Sequence, residues 1–512
     1  MRKSFAERWQ EGSMTMKTNT ATDSEEVYDL EALGYPLPES VKRCRQTGNF
    51  ELEEQIIREK LADSRTPECL KKRLYLEREI IKRLPAYYPY DRGQALSMLK
   101  MQVRDFQERE LDELIAKDAV EWQYINGNMH FHVQFLENLM KVYREYRNRD
   151  LQQSGEPDRN RELLCENMLR MKSDICRRVH IHLRATMRLT EAGKEKCRGR
   201  HIRVYLPLPV EYAQVHNYRL HAVSPHPVMV AGPEYPQRTA VFEADLYENA
   251  RMICASAESG KAESRKMESG EGKLLTEAAE FSAEFSFDNV MEYCEPQPEQ
   301  VLPQQPTFYT EEQAPHIRFT PYIRALVQEI VGGETNPLLK VRRIYDYITT
   351  HVCYSFVRAY STFENIPEFV ASSLKGDCGF QALLFITLCR CAGVPARWQS
   401  GLYATPYQVG SHDWAQYYIA PYGWLYADCS FGGSAYRQGD EARRVFYGAN
   451  LDPYRIPQAS EFQHGFIIPE GALRFDPYDN QAGEIICGGE ALSAYGADFE
   501  TVYDMIEMNE IY

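Results

Sequence analysis

The sequence predicts an α+β multidomain fold in three parts: an N-terminal helical domain, a β-sandwich-like middle domain and a C-terminal domain that mixes helices and strands. Three observations predict it. Apolar residues recur at helical spacing through the first third of the chain, and short strand-like runs punctuated by proline follow them. From about residue 309, amphipathic helices lead into one almost wholly apolar helix flanked by further strands. At 512 residues the chain also exceeds what a single hydrophobic core usually holds, so roughly two to four domains are expected.

Taking the segments in order, residues 1–26 are polar, rich in Thr, Ser and Glu and without periodicity, and read as a disordered tail. The stretches LEEQIIREKLADS, LKKRLYLEREIIKRL and FLENLMKVYREYR place a helical domain over 27–190. HIRVYLPLPVEY, YRLHAVSP, RTAVFEADL and EFSAEFSFDNV predict the β-sandwich-like domain over 199–298, with a polar exposed loop at 256–273. The proline-rich run ending at Pro306 reads as an extended linker over 299–308. In the final domain, 309–512, IRALVQEIV and LLKVRRIYDYITTHV are amphipathic helices, and GFQALLFITLCRCAG is a helix stopped by Gly393 and Pro395. Because that last helix is apolar nearly all round, it should be the buried centre of its domain, with RWQSGLY, HDWAQYYIA and GWLYADCSF as strands against it.

Composition excludes several function classes. With 44% hydrophobic and 26% charged residues the chain is an ordinary globular sequence, and a net charge of −15 is the wrong sign for binding nucleic acid. No apolar run reaches the length that spans a bilayer, and none near the N-terminus resembles a signal peptide, so the expected compartment is the cytoplasm and no membrane partner is expected. Thirteen cysteines, an odd number in no regular framework, are expected to be mostly reduced thiols.

One constellation carries chemistry. Gly376-Asp377-Cys378-Gly379 puts a thiol where a loop enters the apolar helix, and the unpaired N–H groups and positive dipole end there favour the thiolate. A lone cysteine is more often a small core residue, which is the reading for Cys389 and Cys391. His412, in Gly410-Ser411-His412-Asp413-Trp414, supplies a base of suitable pKa, where alone it would be a loop histidine. Asp428 ends the following strand and could orient the imidazole, where alone it would be a strand-end carboxylate. A three-residue turn between the two strands should set both side chains on one face but about four residues out of line, roughly 13 Å, so a bulge or another pairing is needed.

Gly-Asp-Cys, Ala-Gly-Val-Pro-Ala-Arg, His-Asp-Trp and Trp-Leu-Tyr-Ala-Asp, in that order, resemble the transglutaminase-like family over roughly 309–430, and RVYLPLP resembles a β-rich domain that often precedes this core. The resemblance implies a papain-like core in which Cys378 attacks an amide carbonyl, His412 shuttles the proton and Asp428 holds the histidine. It implies a peptide or protein substrate and either water or an amine as acyl acceptor, with hydrolysis favoured over protein-glutamine transglutaminase or deamidase chemistry. A non-catalytic peptide-binding scaffold with a vestigial triad is the alternative from another class.

Other candidates are weaker. Papain-type enzymes carry a glutamine shortly before the nucleophile, where this chain has Ser372 and Ser373; the Cys378 N–H is one oxyanion donor, and Tyr354 and Tyr360 are possible others. His130 with His132 and His180 with His182 alternate like metal ligands but sit in helical-looking sequence without partners at zinc spacing. DPYDNQAGE at 476–484 lacks the ligand pattern of a calcium loop and reads as a loop capping the site, and His464 is a rival base without an orienting acid. No cofactor and no metal is implied.

Overall fold

The computed structural model describes residues 28–152, 158–246, 252–254, 279–494 and 497–511; the expected tail at 1–26 and the loop at 256–273 lie outside the described residues. Beyond them the chain forms helices first, two facing β-sheets next, and then a mixed α and β core.

The helix Cys378–Cys391 is the structural centre. Every residue from Gly379 to Arg390 is buried, as an all-round apolar helix requires. Burying Phe380, Leu383, Leu384, Phe385, Ile386 and Leu388 contributes about 1.5–3 kcal/mol each. Against it lies an antiparallel sheet of Ala396–Ala404, Val409–Ile419, Gly423–Ala427 and Arg455–Ala459, in which Val409–Ile419 and Ala396–Ala404 occupy the middle. Asp377 caps the helix by accepting from the Phe380 N–H at 3.0 Å. The helices Glu39–Thr47, Phe50–Ala62 and Glu68–Tyr87 contribute Val41, Ile57, Leu74 and Leu84 to the same continuous core. They therefore pack onto the site-bearing core.

The expected helical domain over 27–190 is corrected in two places. Tyr90–Asp91, Trp122–Ile125 and Asn128–Phe131 form a small sheet, turned at Asn126 and Gly127, both of positive φ; Asn-Gly in a two-residue hairpin turn is the local signal for it. Cys176–Leu189 is a long strand, not a helix. Its Val179, Ile181, Leu183, Ala185, Met187 and Leu189 alternate inward, a period of two that the interspersed arginines and histidines disguise. His130, His180 and His182 consequently lie on strands, and the last two pair with Asp288 at 2.7 Å and Glu284 at 3.0 Å across the ladder.

Two sheets face each other through the middle of the chain. One runs Phe499–Glu510, Cys176–Leu189, Glu280–Glu292, Val215–Ser224, and the other contains Glu490–Ala491, Glu484–Cys487, His201–Pro207, Thr239–Leu246 and Met229–Val230. Phe242 and Phe281 meet at 5.3 Å between ring centres in the shared interior. The expected C-terminal boundary at 512 is thereby corrected, because Glu484–Cys487 pairs with His201–Pro207 and Phe499–Glu510 pairs with Cys176–Leu189. One side of each middle sheet is thus paired by the end of the chain. The 299–308 segment is also held in place: the Leu302 N–H donates to the Ala420 carbonyl at 3.0 Å and Gln305 Oε1 accepts from the Ala420 N–H at 2.8 Å.

Among the described residues no helix is long and apolar enough to cross a membrane.

Candidate active site

Cys378 is the first residue of the buried helix and is half-buried. Its Sγ donates to Asp413 Oδ2 at 3.3 Å, a contact with the residue next to the expected base. Gly379 permits this closeness: a Cβ there would lie 2.1 Å from the Tyr360 hydroxyl and 2.7 Å from Asp413 Oδ2. Tyr360 donates to Asp377 Oδ1 at 2.7 Å, so the capping carboxylate is held from two sides. Burial pushes Asp377 up to about 6.

The expected thiolate is not the resting form that this environment favours. Burial raises the Cys378 thiol well above its ordinary value, and the Asp413 and Asp377 carboxylates raise it further, with the Asp413 backbone N–H opposing them. The helix-end field favours the thiolate by only about 0.3–1 kcal/mol, and burial first, then the two carboxylates, act against it.

His412 and Asp428 do meet. His412 Nε2 lies 2.7 Å from Asp428 Oδ2, both residues buried, and Nδ1 makes no hydrogen bond among the described residues. The hairpin explains the encounter and corrects the expected register. Ile419 stands opposite Gly423 and Ala415 opposite Ala427, so Asp428 follows at the level of Trp414, two residues from His412 and on its face. No bulge interrupts this pairing. Asp428 then leaves the strand to cap the helix Cys429–Arg437, accepting from the Phe431 N–H at 2.9 Å and the Ser430 hydroxyl at 3.1 Å.

Arg455 completes this half of the site. Its Nη1 is 3.0 Å from Asp428 Oδ2 and its Nη2 2.8 Å from Asp452 Oδ2. The His412 and Arg455 charges hold the Asp428 carboxyl down at about 2 against the cost of burial. Burial lowers His412 and Arg455 adds to that, while Asp428 opposes both. The imidazole is walled by Phe431 at 4.7 Å and Trp414 at 6.0 Å between ring centres.

The two halves join at the His412–Asp413 peptide. Gln481 Nε2 donates to the His412 carbonyl at 2.9 Å and to Asp413 Oδ1 at 2.5 Å, so the 476–484 segment does cap this site. Asp413 and Asp479 share a hydrogen bond, and burial pushes both carboxyls up. Between Cys378 and His412 there is no hydrogen bond among the described residues, since neighbouring residues of a strand point to opposite faces and Asp413 takes the position against the sulfur.

The remaining candidates separate clearly. Tyr354 lies by the sulfur with Lys141 Nζ 5.0 Å from its ring centre, bringing the helix Phe135–Val142 to the site. Ser373 donates to the Phe369 carbonyl and Ser372 to that of Glu368, within their own helix and away from Cys378. His464 bonds its own neighbour, Gly465. Sequence reasoning missed Asp413, Asp479, Gln481, Arg455 and Lys141. Asp413 alone had a local signal, its place beside His412.

This is a core in which a cysteine at the mouth of a buried helix abuts the peptide bond of a histidine that an aspartate holds across a hairpin. The chain carries a transglutaminase-like core: residues 324–429 match the model of the Transglutaminase-like superfamily. Among solved structures it is similar to a candidate cysteine protease from Cytophaga hutchinsonii, at 15% identity over 65% of this chain and 91% of the other, with a TM-score of 0.39. It is also similar to the periplasmic domain of TgpA from Pseudomonas aeruginosa, at 11% identity over 51% of this chain and 98% of the other, with a TM-score of 0.23. No curated protein matches the chain.

Proposed function

We propose that the protein is a thiol-dependent enzyme acting on amide bonds of peptides or proteins, with Cys378 as nucleophile, His412 as proton shuttle and Asp428 as the group that orients the histidine. The observation that carries the reading is the 2.7 Å contact of His412 Nε2 with Asp428, which leaves Nδ1 for exchange with a sulfur lying at the adjoining peptide. In this reading the sulfur bonds to the carbonyl carbon as its proton passes to His412. The imidazolium then protonates the departing amine, and water cleaves the thioester. The Cys378 backbone N–H, in the first turn of its helix, is a natural donor to the developing oxyanion. Tyr354 is better placed than Tyr360 to assist, because the Tyr360 hydroxyl is already given to Asp377.

Hydrolysis is favoured over transfer to an amine. Replacing Cys378 with Ser should abolish turnover of a peptide library and remove electrophile labelling from the peptide that contains position 378; unchanged turnover would remove the reading. Glutamine peptides offered with and without a primary amine separate ammonia release from amine incorporation.

One observation favours a peptide-binding scaffold instead: the sulfur and the imidazole share no hydrogen bond. A scaffold would bind peptides equally well with Cys378 replaced by Ser and would turn none of them over.

A further inference from the structure

The carboxyl at the sulfur is the feature that the proposed reaction leaves unused. Asp413 is 5% exposed, its Oδ2 accepts from Cys378 Sγ at 3.3 Å, and its Oδ1 is fixed by Gln481 Nε2 at 2.5 Å. The missing Cβ of Gly379 leaves the space into which this oxygen fits. The arrangement is built from four separate elements, since Cys378 belongs to the helix, Asp413 to the strand Val409–Ile419, Gln481 to the 476–484 segment, and the Gln481 carbonyl accepts from the Tyr503 hydroxyl of the C-terminal strand.

We propose that Asp413 sets the protonation state of the nucleophile: its carboxylate accepts the hydrogen bond of Cys378 and holds it as a thiol in the free protein, so that the sulfur gives up its proton only as His412 takes it during attack. The inference rests on Cys378 being the reacting group and deepens that reading. In the step itself the S–H bond breaks as an N–H bond forms on His412, and the Asp413 carboxylate raises the cost of that transfer until it occurs with bond formation to the carbonyl carbon. A thiol beside the Asp413 carboxylate donates a hydrogen bond to it, whereas a thiolate there meets a like charge. Every charged neighbour bears on this balance. Asp377 faces the sulfur from the helix cap, and Asp479 and Asp476 face Asp413 from the capping segment. Arg474 and Glu484 pair where that segment begins and ends, with Nε and Oε1 3.8 Å apart. Lys141, Tyr354 and Tyr360 also interact with the sulfur, and His412 stands behind the shared peptide. Apart from Lys141, the ionisable groups nearest the sulfur are acidic, so the pair holds its proton tightly.

The test follows alkylation of Cys378 by iodoacetamide against pH, read by mass spectrometry on the full chain, with exposed Cys69 as internal reference. In the wild type, Cys378 should reach half-maximal alkylation at higher pH than Cys69; a half-point at or below that of Cys69 overturns the proposal without any variant. Asp413→Asn keeps the bond to Gln481 and turns an N–H toward the sulfur, so the half-point should fall by about one pH unit or more. Asp413→Ala, which removes the charge with a smaller side chain, should move it the same way. A half-point unchanged or raised in the variant that folds overturns the proposal. Alkylation reports the sulfur whether or not any peptide is cleaved, so failure of the amide-bond reading, seen as absent turnover, remains distinguishable.

Discussion

Arg455 and Asp428 are both fully buried and joined at 3.0 Å, on the same carboxylate oxygen that binds His412. The orienting acid of the proposed triad is therefore one member of a four-group cluster with Asp452. Replacing Arg455 with Met strips the cation from two buried carboxylates, and stability should fall by about 3–5 kcal/mol. His412 should then titrate at higher pH, because the guanidinium is one of the groups that depress it. Urea unfolding checks the first outcome and imidazole proton shifts by NMR the second.

Asp428→Asn retains the size of the side chain while removing its charge and its preference for one imidazole tautomer. Turnover should fall on the order of 10³–10⁴-fold. Iodoacetamide labelling of Cys378 should change far less, since Asp428 does not touch the sulfur. Parallel measurement of the two rates distinguishes an orienting role from general damage.

Glu484 is buried, and burial pushes it up to about 7, with Arg474 and two backbone N–H groups opposing. The folded chain therefore keeps a proton that an unfolded glutamate releases near 4.3. The resulting stabilisation is complete below that value and is lost as pH rises toward 7, on the order of 1–3 kcal/mol. Asp377 contributes in the same direction at about 6. Glu484→Gln should flatten the decline in unfolding free energy between pH 4.5 and 7, measured by urea denaturation. A slope equal to the wild type would contradict this.

Asn138 ties the N-terminal helices to the site by holding one residue twice: its Nδ2 donates to the Phe356 carbonyl at 2.9 Å and its Oδ1 accepts from the Phe356 N–H at 2.6 Å. Asn138→Ala leaves both backbone groups without a partner and should cost about 1–3 kcal/mol. Because Tyr354 lies two residues upstream beside the sulfur, the substitution should also speed limited proteolysis near 353–360, followed by mass spectrometry.

The central helix, the strands around it and the candidate cysteine were legible in the sequence for local reasons. An apolar run bounded by Asp377 and Gly393 has only one comfortable place in a globular fold, and Pro, Gly and alternation mark the strands that cover it. Cys176–Leu189 was obscured because its outward positions carry Arg and His, so that polar residues outweighed the alternation beneath them. The last strands were unreadable for another reason. Pairing of Phe499–Glu510 with Cys176–Leu189 spans more than 300 residues, and nothing in either segment names its partner.

What the sequence by itself determined was three members of the candidate site: a cysteine at a helix mouth, and a histidine and an aspartate on neighbouring strands, each set by short-range pattern. Only the tertiary structure decided which groups touch. It gave the sulfur to Asp413, brought Gln481 and Arg455 in from distant segments, and surrounded the thiol with carboxylates that oppose its ionisation. The physical reason is that helix and strand propensity act over a few residues, whereas the electrostatics of a buried group are the sum over whatever the fold packs against it.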